Sequence, residues 1–197
     1  IREVVAVEPA RAMAAILEKR ILSRRAGNVR VHVRTWQEID LKKEGWSGAF
    51  DLVFASMSPG VSGPEALEKM VRASRTFCYL SGWSGRLWGR WGKARSDLWP
   101  RLFREDLGHY PNDILYPFGL LYAMGYRPEL RFRRQEMRLE MASAEAEREL
   151  LELFERYTPL TSQVRGRIAS YVKESSRSGR FRQESRQCQA FMLWEVV

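Results

Sequence analysis

The first candidate for chemistry is the carboxylate of Glu8, which follows the apolar, strand-like run 3–7 directly. A near-continuous apolar run is typical of a parallel strand that is buried on both faces. At the end of such a strand, one carboxylate can accept hydrogen bonds from two neighbouring hydroxyl groups, because it offers two oxygens. The alternative is an ordinary surface glutamate at the end of a strand. Pro9 then stands where a helix can begin.

A second group of reactive side chains lies at 109–113, where an imidazole, a phenol, an amide and a carboxylate occur close together. If a general base is needed, His109 and Asp113 are the candidates. Helix capping is the simpler role for Asn112 and Asp113. His32 alternates within a strand-like run and is predicted to be structural. No cluster has the spacing of metal ligands, so no metal site is predicted.

Strands alternate with helices over the first eighty residues. Strands are predicted at 3–7, 29–33, 50–55 and 76–80, with a helix after Pro9 and another from Pro64. This order predicts parallel βαβ units and an α/β fold, with a doubly wound, mostly parallel sheet and helices on both faces. The turn-forming pair Ser81-Gly82 is expected to end the fourth strand.

The rest of the chain is divided by composition. An aromatic-rich helical insertion is predicted at 83–126, between a core at 1–82 and a C-terminal part of the same α/β domain at 127–197. Asp97 is expected to cap one short helix, and Asn112 or Asp113 a second that ends at Gly125. The remaining predictions are a strand at 126–141 with an irregularity near Gln135, a helix from Ser143 ended by Pro159, a helix at 161–174, a loop at 175–179 and an antiparallel strand at 189–196.

The stretch from Val4 to Met13 resembles the second motif of class I (Rossmann-like) S-adenosylmethionine-dependent methyltransferases. In that motif a buried strand is followed by an acidic residue and by a helix with Met near its start. The family's carboxylate accepts hydrogen bonds from both ribose hydroxyls of the cofactor. The resemblance therefore gives this role to Glu8 and places Pro9 and Ala10 beside the adenine and the ribose.

The stretch 34–41 resembles the family's adenine-edge motif, which is commonly an acid followed by a small residue. Here Thr35 stands at the position of the acid and Trp36 at that of the small residue. The contact with the adenine amino group then passes to Thr35, to Gln37 or to a main-chain carbonyl. Trp36 either stacks on the adenine or packs beneath the loop.

The stretch 48–57 is similar to the family's fourth motif, in which a Phe-Asp pair opens an apolar strand that ends in small residues. By this resemblance Ala55, Ser56 and Met57 border the methionine half of the cofactor. The first motif, a strand followed by a Gly-x-Gly-like loop, has no equivalent in the chain. A doubly wound sheet without its middle strand would have two long open edges, so we expect residues upstream of Ile1 to supply that strand.

The resemblance implies S-adenosyl-L-methionine as the cofactor and methyl transfer by in-line displacement, with nucleophile and methyl group about 3 Å apart and water excluded. The aromatic insertion is the candidate substrate cover. Its candidate substrate-binding residues are Trp83, Tyr110, Asn112 and Tyr116. The first candidate for the acceptor is a small molecule, with the oligomeric state left open.

The charge balance leaves other functions open. Lys and Arg number 33 against 24 Asp and Glu, a net charge of +9. This surplus allows an RNA or protein methyltransferase, but the basic residues are dispersed, and Ser56-Met57-Ser58-Pro59 lacks the Asn-Pro-Pro-aromatic signature of RNA base amino-methylating enzymes. A non-catalytic nucleoside-binding module of the same fold is the other alternative. Two isolated cysteines, Cys78 and Cys188, indicate buried, reduced thiols in the cytoplasm, and no apolar run is long enough for a membrane span.

Overall fold

The computed structural model describes residues 1–61, 63–108 and 113–196. The chain divides into two compact units. Unit 1 comprises Ile1–Leu80, Gly119–Glu129 and Leu193–Val197, and unit 2 comprises Ser81–Phe118 and Leu130–Met192. The division at 1–82, 83–126 and 127–197 stays a prediction.

The helices and strands follow one another along the chain as β1 (Val4–Val7), α1 (Arg11–Ser23), β2 (Val29–His32), β3 (Phe50–Ser56), α2 (Pro64–Ala73), β4 (Ser74–Ser84), α3 (Gly92–Phe103), α4 (Leu115–Ala123), β5 (Glu129–Ala142), α5 (Ser143–Glu155), α6 (Ser162–Glu174), β6 (Ser176–Arg177) and β7 (Arg180–Glu195). Within the described residues, β1 and β2 form a two-stranded parallel sheet, and a five-stranded sheet has the order β3-β4-β7-β5 with β6 antiparallel to β7. The predicted mixed α/β fold, with a central sheet flanked by helices and an antiparallel C-terminal strand, is confirmed.

The core of unit 1 lies between its strands and α2. Pro64 occupies the first turn of α2, where a missing N–H costs no hydrogen bond, and Leu67 and Met70 on one helix face are each 1% exposed. Val5 and Val7 of β1 pack on the same core as Phe50 of β3. The buried members of this core are Ile39, Leu41, Trp46 and Ala73. One core thus holds the two strands that carry the proposed motifs.

Unit 1 also presents apolar surface. Of the residues of α1, only Ala14 is buried, whereas Met13 is 55% exposed. On β3, Leu52 and Phe54 are exposed while Ala55, on the opposite face, is buried. The ring of Phe54 stacks on Tyr79 of β4 with centroids 4.6 Å apart.

β4 is longer than the sequence indicates. We expected Ser81-Gly82 to end this strand, and that prediction is wrong, because β4 continues to Ser84. Ser81 is only 4% exposed, and a side chain at Gly82 would meet the Ile114 side chain at 3.8 Å. Ser81 and Gly82 therefore lie inside the strand and do not mark a turn.

The predicted helix cap at Asp97 is also wrong. Helix α3 begins at Gly92, so Asp97 lies in its middle. Its carboxylate accepts from Lys93 Nζ at 2.9 Å, one turn earlier, and from the Tyr171 hydroxyl at 3.1 Å. The residue therefore stabilises the helix surface and its contact with α6.

β7 begins nine residues before the predicted strand at 189–196, and β6 occupies part of the predicted loop at 175–179. The inward positions of the first half of β7 are Phe181, Gln183, Ser185 and Gln187, all buried. Three of these four are polar, so the apolar alternation that indicates a strand is missing. From Ala190 onward the even-numbered positions are buried instead, which is the pattern of a β-bulge near Cys188.

The core of unit 2 is formed by α3, α5 and α6 with the adjoining strands. Helix α5 begins at Ser143 as predicted but ends at Glu155, four residues before Pro159. Helix α6 agrees closely with the predicted 161–174. It begins after Thr161 because the side chain of this residue accepts from Val164 N as an N-cap. The fully buried side chains include Leu98, Leu150, Phe154, Ile168 and Phe181. This core is an apolar helical layer with its own packing.

Two further findings concern the described part of the chain. No helix in it is both long and apolar enough to cross a membrane. Cys78 and Cys188 are free thiols, of which Cys78 is buried and Cys188 is half-buried. Burial raises the pKa of Cys78 to about 12.

Candidate functional site

The residues predicted to hold a cofactor lie where strands of unit 1 end. β1 and β2 pair in parallel with Val7 opposite His32, and Glu8 N donates to His32 O at 3.0 Å. The carboxyl ends of parallel strands share one edge of a sheet, so Glu8 and the loop that follows β2 emerge together. His32 packs edge-on against Trp46, with ring centroids 5.0 Å apart, which agrees with a structural role.

Glu8 is half-buried and keeps one oxygen available. Its Oε1 accepts from Ala10 N at 2.9 Å. Ala10 is the N-cap of α1 and has no side-chain acceptor of its own, so the Glu8 carboxylate satisfies a donor there. Its Oε2 has no hydrogen-bond partner among the described residues, which leaves an acceptor for a ligand.

The loop after β2 closes on itself through Thr35 and Glu38. Thr35 donates to Glu38 Oε2 through its main-chain N at 2.7 Å and through its hydroxyl at 2.9 Å. Glu38 N donates back to Thr35 Oγ1 at 3.3 Å. This reciprocal pair is a capping box, and the hydrogen bonds from Thr35, helped by the nearby Arg34 charge, lower the pKa of Glu38.

Helix α2 holds this loop from the other side. Lys69 Nζ donates to the carbonyl oxygens of Trp36, Gln37 and Ile39, each at 3.0 Å. Trp36 is half-buried, its Nε1 donates to Ala66 O at 3.0 Å, and Lys69 lies 5.6 Å from its ring centroid. Of the two alternatives for Trp36, this geometry favours packing beneath the loop. Its contact with the cofactor stays a prediction.

The loops after β2 and β3 are joined directly. Gln37 Nε2 donates to Gly60 O at 2.8 Å, and Gly60 N donates to Ser58 Oγ at 3.3 Å. The β1–β2 register and this bond therefore bring all three predicted cofactor segments to one edge of unit 1. The carboxylate, amide and main-chain groups collected there suit a nucleoside, which offers hydroxyl and amino donors.

The end of β3 carries a strained residue. Ala55 is buried, whereas Ser56 and Met57 are exposed. Met57 has φ of +52°, in the left-handed region that bulky side chains rarely adopt. Strain of this kind is frequent where a chain must turn sharply beside a binding site. The assignment of these three residues to the methionine half of the cofactor stays a prediction.

The candidates in unit 2 have a different environment. Asp113 is 4% exposed, and both of its oxygens accept main-chain hydrogen bonds, Oδ2 from Gly85 N at 2.6 Å and Oδ1 from Leu115 N at 3.0 Å. These bonds agree with the capping role of Asp113, and its role as a general base stays a prediction. Trp83 is half-buried and Tyr116 is exposed. The other candidates, His109, Tyr110 and Asn112, lie outside the described residues.

Two functional candidates were missed by sequence reasoning. The Thr-x-x-Glu spacing at 35–38 is a recognisable capping-box signature, so it could have indicated Glu38. No local pattern marks Lys69, because its role depends on the approach of α2 to a loop thirty residues earlier in the chain.

Across the three described segments, no group of three or more His, Cys, Asp or Glu side chains could hold a metal ion.

Comparison with known proteins supports the fold. No family model and no curated protein sequence matches the chain. A candidate methyltransferase from Bacillus halodurans is similar over 98% of this chain and 83% of its own, with 10% identity and a TM-score of 0.56. The YcgJ protein of Bacillus subtilis is similar over 98% and 82%, with 10% identity and a TM-score of 0.56. A candidate type II methyltransferase from Anaeromyxobacter dehalogenans is similar over 100% of this chain and 82% of its own, with 11% identity and a TM-score of 0.53.

Identities this low show a shared fold and nothing finer. The chain has a class I methyltransferase-like fold, as the resemblance of its motifs predicted.

Proposed function

We propose that this protein binds S-adenosylmethionine at the carboxyl edge of β1, β2 and β3 and transfers its methyl group to a small molecule. One observation carries the proposal beyond the fold. Glu8 is anchored by Ala10 N through one oxygen and has the other free at the end of a strand. An anchored carboxylate with a free oxygen is already oriented to accept from a ribose diol.

In this proposal, different residues at this edge contact different parts of the cofactor. Glu8 accepts from the ribose hydroxyls, and Pro9 and Ala10 line the sugar and the base. The loop of Thr35, Trp36 and Gln37 borders the adenine. At the end of β3, Ala55, Ser56 and Met57 border the methionine half. When bound, the cofactor supplies an electrophilic methyl group on a sulfonium, so the protein has to orient the acceptor and exclude water.

The distribution of charge supports a small-molecule acceptor over RNA. On strands β5 and β7 several exposed arginines form ion pairs with glutamates. Arg138 Nε lies 3.4 Å from a Glu184 oxygen, and Arg180 Nε lies 2.6 Å from Glu140 Oε1. A cavity of about 220 Å³ on these strands is likewise lined by both signs. This pairing compensates part of the positive charge on these strands, and arginines that are already paired attract a polyanion less.

The cytoplasm is the compartment that we propose. Cys78 and Cys188 are both free, and a reducing compartment keeps thiols in that state. Mass spectrometry of protein prepared under oxidising conditions would contradict this assignment if the two thiols formed a disulfide readily.

Calorimetry with S-adenosylhomocysteine tests the binding site. The unaltered protein is expected to bind with micromolar affinity. Glu8→Ala should weaken binding at least tenfold, because hydrogen bonds to a charged group contribute about 1.5–3 kcal/mol each. The matched control is Glu18→Ala, which removes an exposed carboxylate of α1 and should leave the affinity unchanged.

Release of S-adenosylhomocysteine from S-adenosylmethionine in the presence of small-molecule acceptors tests the transfer step. Turnover with a small molecule supports the proposal. Turnover only with RNA or protein would show that the acceptor is a macromolecule and not a small molecule. Binding of the cofactor without any turnover would indicate a non-catalytic nucleoside-binding module. The absence of binding by the unaltered protein would contradict the proposal as a whole.

A further inference from the structure

The loop after β2 has few acceptors left for an adenine amino group. The carbonyl oxygens of Trp36, Gln37 and Ile39 already accept from Lys69 Nζ at 3.0 Å. The Glu38 carbonyl accepts from Arg34 Nη2 at 2.7 Å. A carbonyl bound to a cation is a poorer acceptor for a second, neutral donor. The main-chain alternative for recognising the base is therefore disfavoured.

The side chains of the loop also leave few acceptors for the adenine amino group. The Thr35 hydroxyl donates to Glu38 Oε2 and accepts from Glu38 N, so both of its functions are used within the turn. Gln37 Nε2 donates to Gly60 O, which turns this amide toward the loop after β3. Among residues 35–39, the remaining strong acceptor is the carboxylate of Glu38.

Glu38 places its carboxylate beside residue 35. Its Oε2 lies 2.7 Å from Thr35 N, while its Oε1 has no hydrogen-bond partner in the described segments. The side chain is exposed. The loop starts from β2, whose neighbour β1 ends at Glu8, so both carboxylates emerge at one edge of the sheet.

We propose that Glu38 is the residue that recognises the exocyclic amino group of adenine, in place of an acid at position 35. The inference rests on the proposed function. The amino group donates, and a carboxylate accepts more strongly than an amide or a hydroxyl. The free Oε1 takes this bond while Oε2 stays on Thr35. Lys69 is a positioning residue here, because it fixes the main chain from which Glu38 projects.

Two ligands that differ in one group test this assignment. One is S-adenosylhomocysteine, and the other is its analogue with hydrogen in place of the exocyclic amino group. The unaltered protein should prefer the first by about tenfold or more in calorimetry, as expected for one hydrogen bond to a charged group. Glu38→Ala should bind the two ligands equally. Glu38→Gln keeps an acceptor for Thr35 and should retain part of the preference.

The matched control is Glu44→Ala, which removes another carboxylate beside this loop, one that pairs with Arg34 Nη1 at 2.6 Å. It should keep the full preference. If the unaltered protein binds both ligands equally, or if Glu38→Ala and Glu38→Gln both keep the full preference, this inference is overturned and the proposed function stands. If the unaltered protein binds neither ligand, both fail.

Discussion

Two carboxylates, Glu8 in unit 1 and Asp113 in unit 2, have opposite surroundings. Glu8 is half-buried and accepts one main-chain hydrogen bond, so an oxygen stays available. Asp113 is 4% exposed and accepts main-chain hydrogen bonds through both oxygens. The difference distinguishes a group that can serve a ligand from one that stabilises the fold. Sequence reasoning named both as candidates, and only their hydrogen bonds separate them.

The largest effect is expected at Asp113. Asp113→Ala leaves two main-chain N–H groups without their acceptor, so the free energy of unfolding should fall by about 3 kcal/mol. For a chain of this size the melting temperature should then fall by roughly 6–12 °C. Thermal unfolding measures this change, with the exposed Asp106→Ala as the control. An unchanged melting temperature would mean that Asp113 is not the anchor that the geometry indicates.

Lys69 extends the comparison to a cation, because it binds three carbonyl oxygens of one loop as Asp113 binds two N–H groups. Lys69→Met keeps the apolar stem and should lower the free energy of unfolding by about 2 kcal/mol. Urea denaturation measures the change. Lys42→Met, at an exposed position beside the same loop, should have almost no effect. Equal stability of the two variants would show that the loop does not depend on Lys69.

Glu8→Ala should affect stability least among these charge changes. It removes one hydrogen bond at the N-terminus of α1, so the free energy of unfolding should fall by about 1 kcal/mol. Urea denaturation of this variant and of Asp113→Ala compares their free energies of unfolding directly. If Glu8→Ala were as destabilising as Asp113→Ala, its carboxylate would be structural as well.

A smaller effect on the free energy of unfolding is expected from the thiol of Cys78. Burial of this thiol raises its pKa to about 12. The unfolded thiol ionises near its ordinary pKa of 9.0, so the unfolded state loses its proton first as the pH rises. Between pH 8 and 9.5 this group should therefore lower the free energy of unfolding by about 0.8 kcal/mol. Cys78→Ala should remove this part of the pH dependence. A slope that is the same with and without the thiol would contradict the assignment.

The strands of unit 1 could be predicted because their apolar runs are dense. Val4 to Val7 and Phe50 to Ala55 carry enough β-branched and aromatic residues to indicate strands without other information. The first half of β7 could not be found, since its inward positions include Gln183, Ser185 and Gln187. The burial of these polar residues is decided by helices that pack on the strand from elsewhere in the chain.

The candidate site was predictable in part for the same physical reason. The place of Glu8 follows from local sequence, since a strand end can be read from the run before it. The lysine that fixes the loop after β2 could not be predicted, because its three bonds depend on tertiary packing. The two roles weighed for Asp113 differ only in the partners of its oxygens, and one of these, Gly85, lies 28 residues away.

A crystal structure of the protein with S-adenosylhomocysteine would show directly whether Glu8 binds the ribose. We expect both ribose hydroxyls to lie within hydrogen-bond distance of the Glu8 carboxylate, at about 2.5–3.0 Å, while Asp113 keeps its two main-chain bonds. A nucleoside bound elsewhere, with the Glu8 carboxylate contacting only Ala10 N, would contradict it.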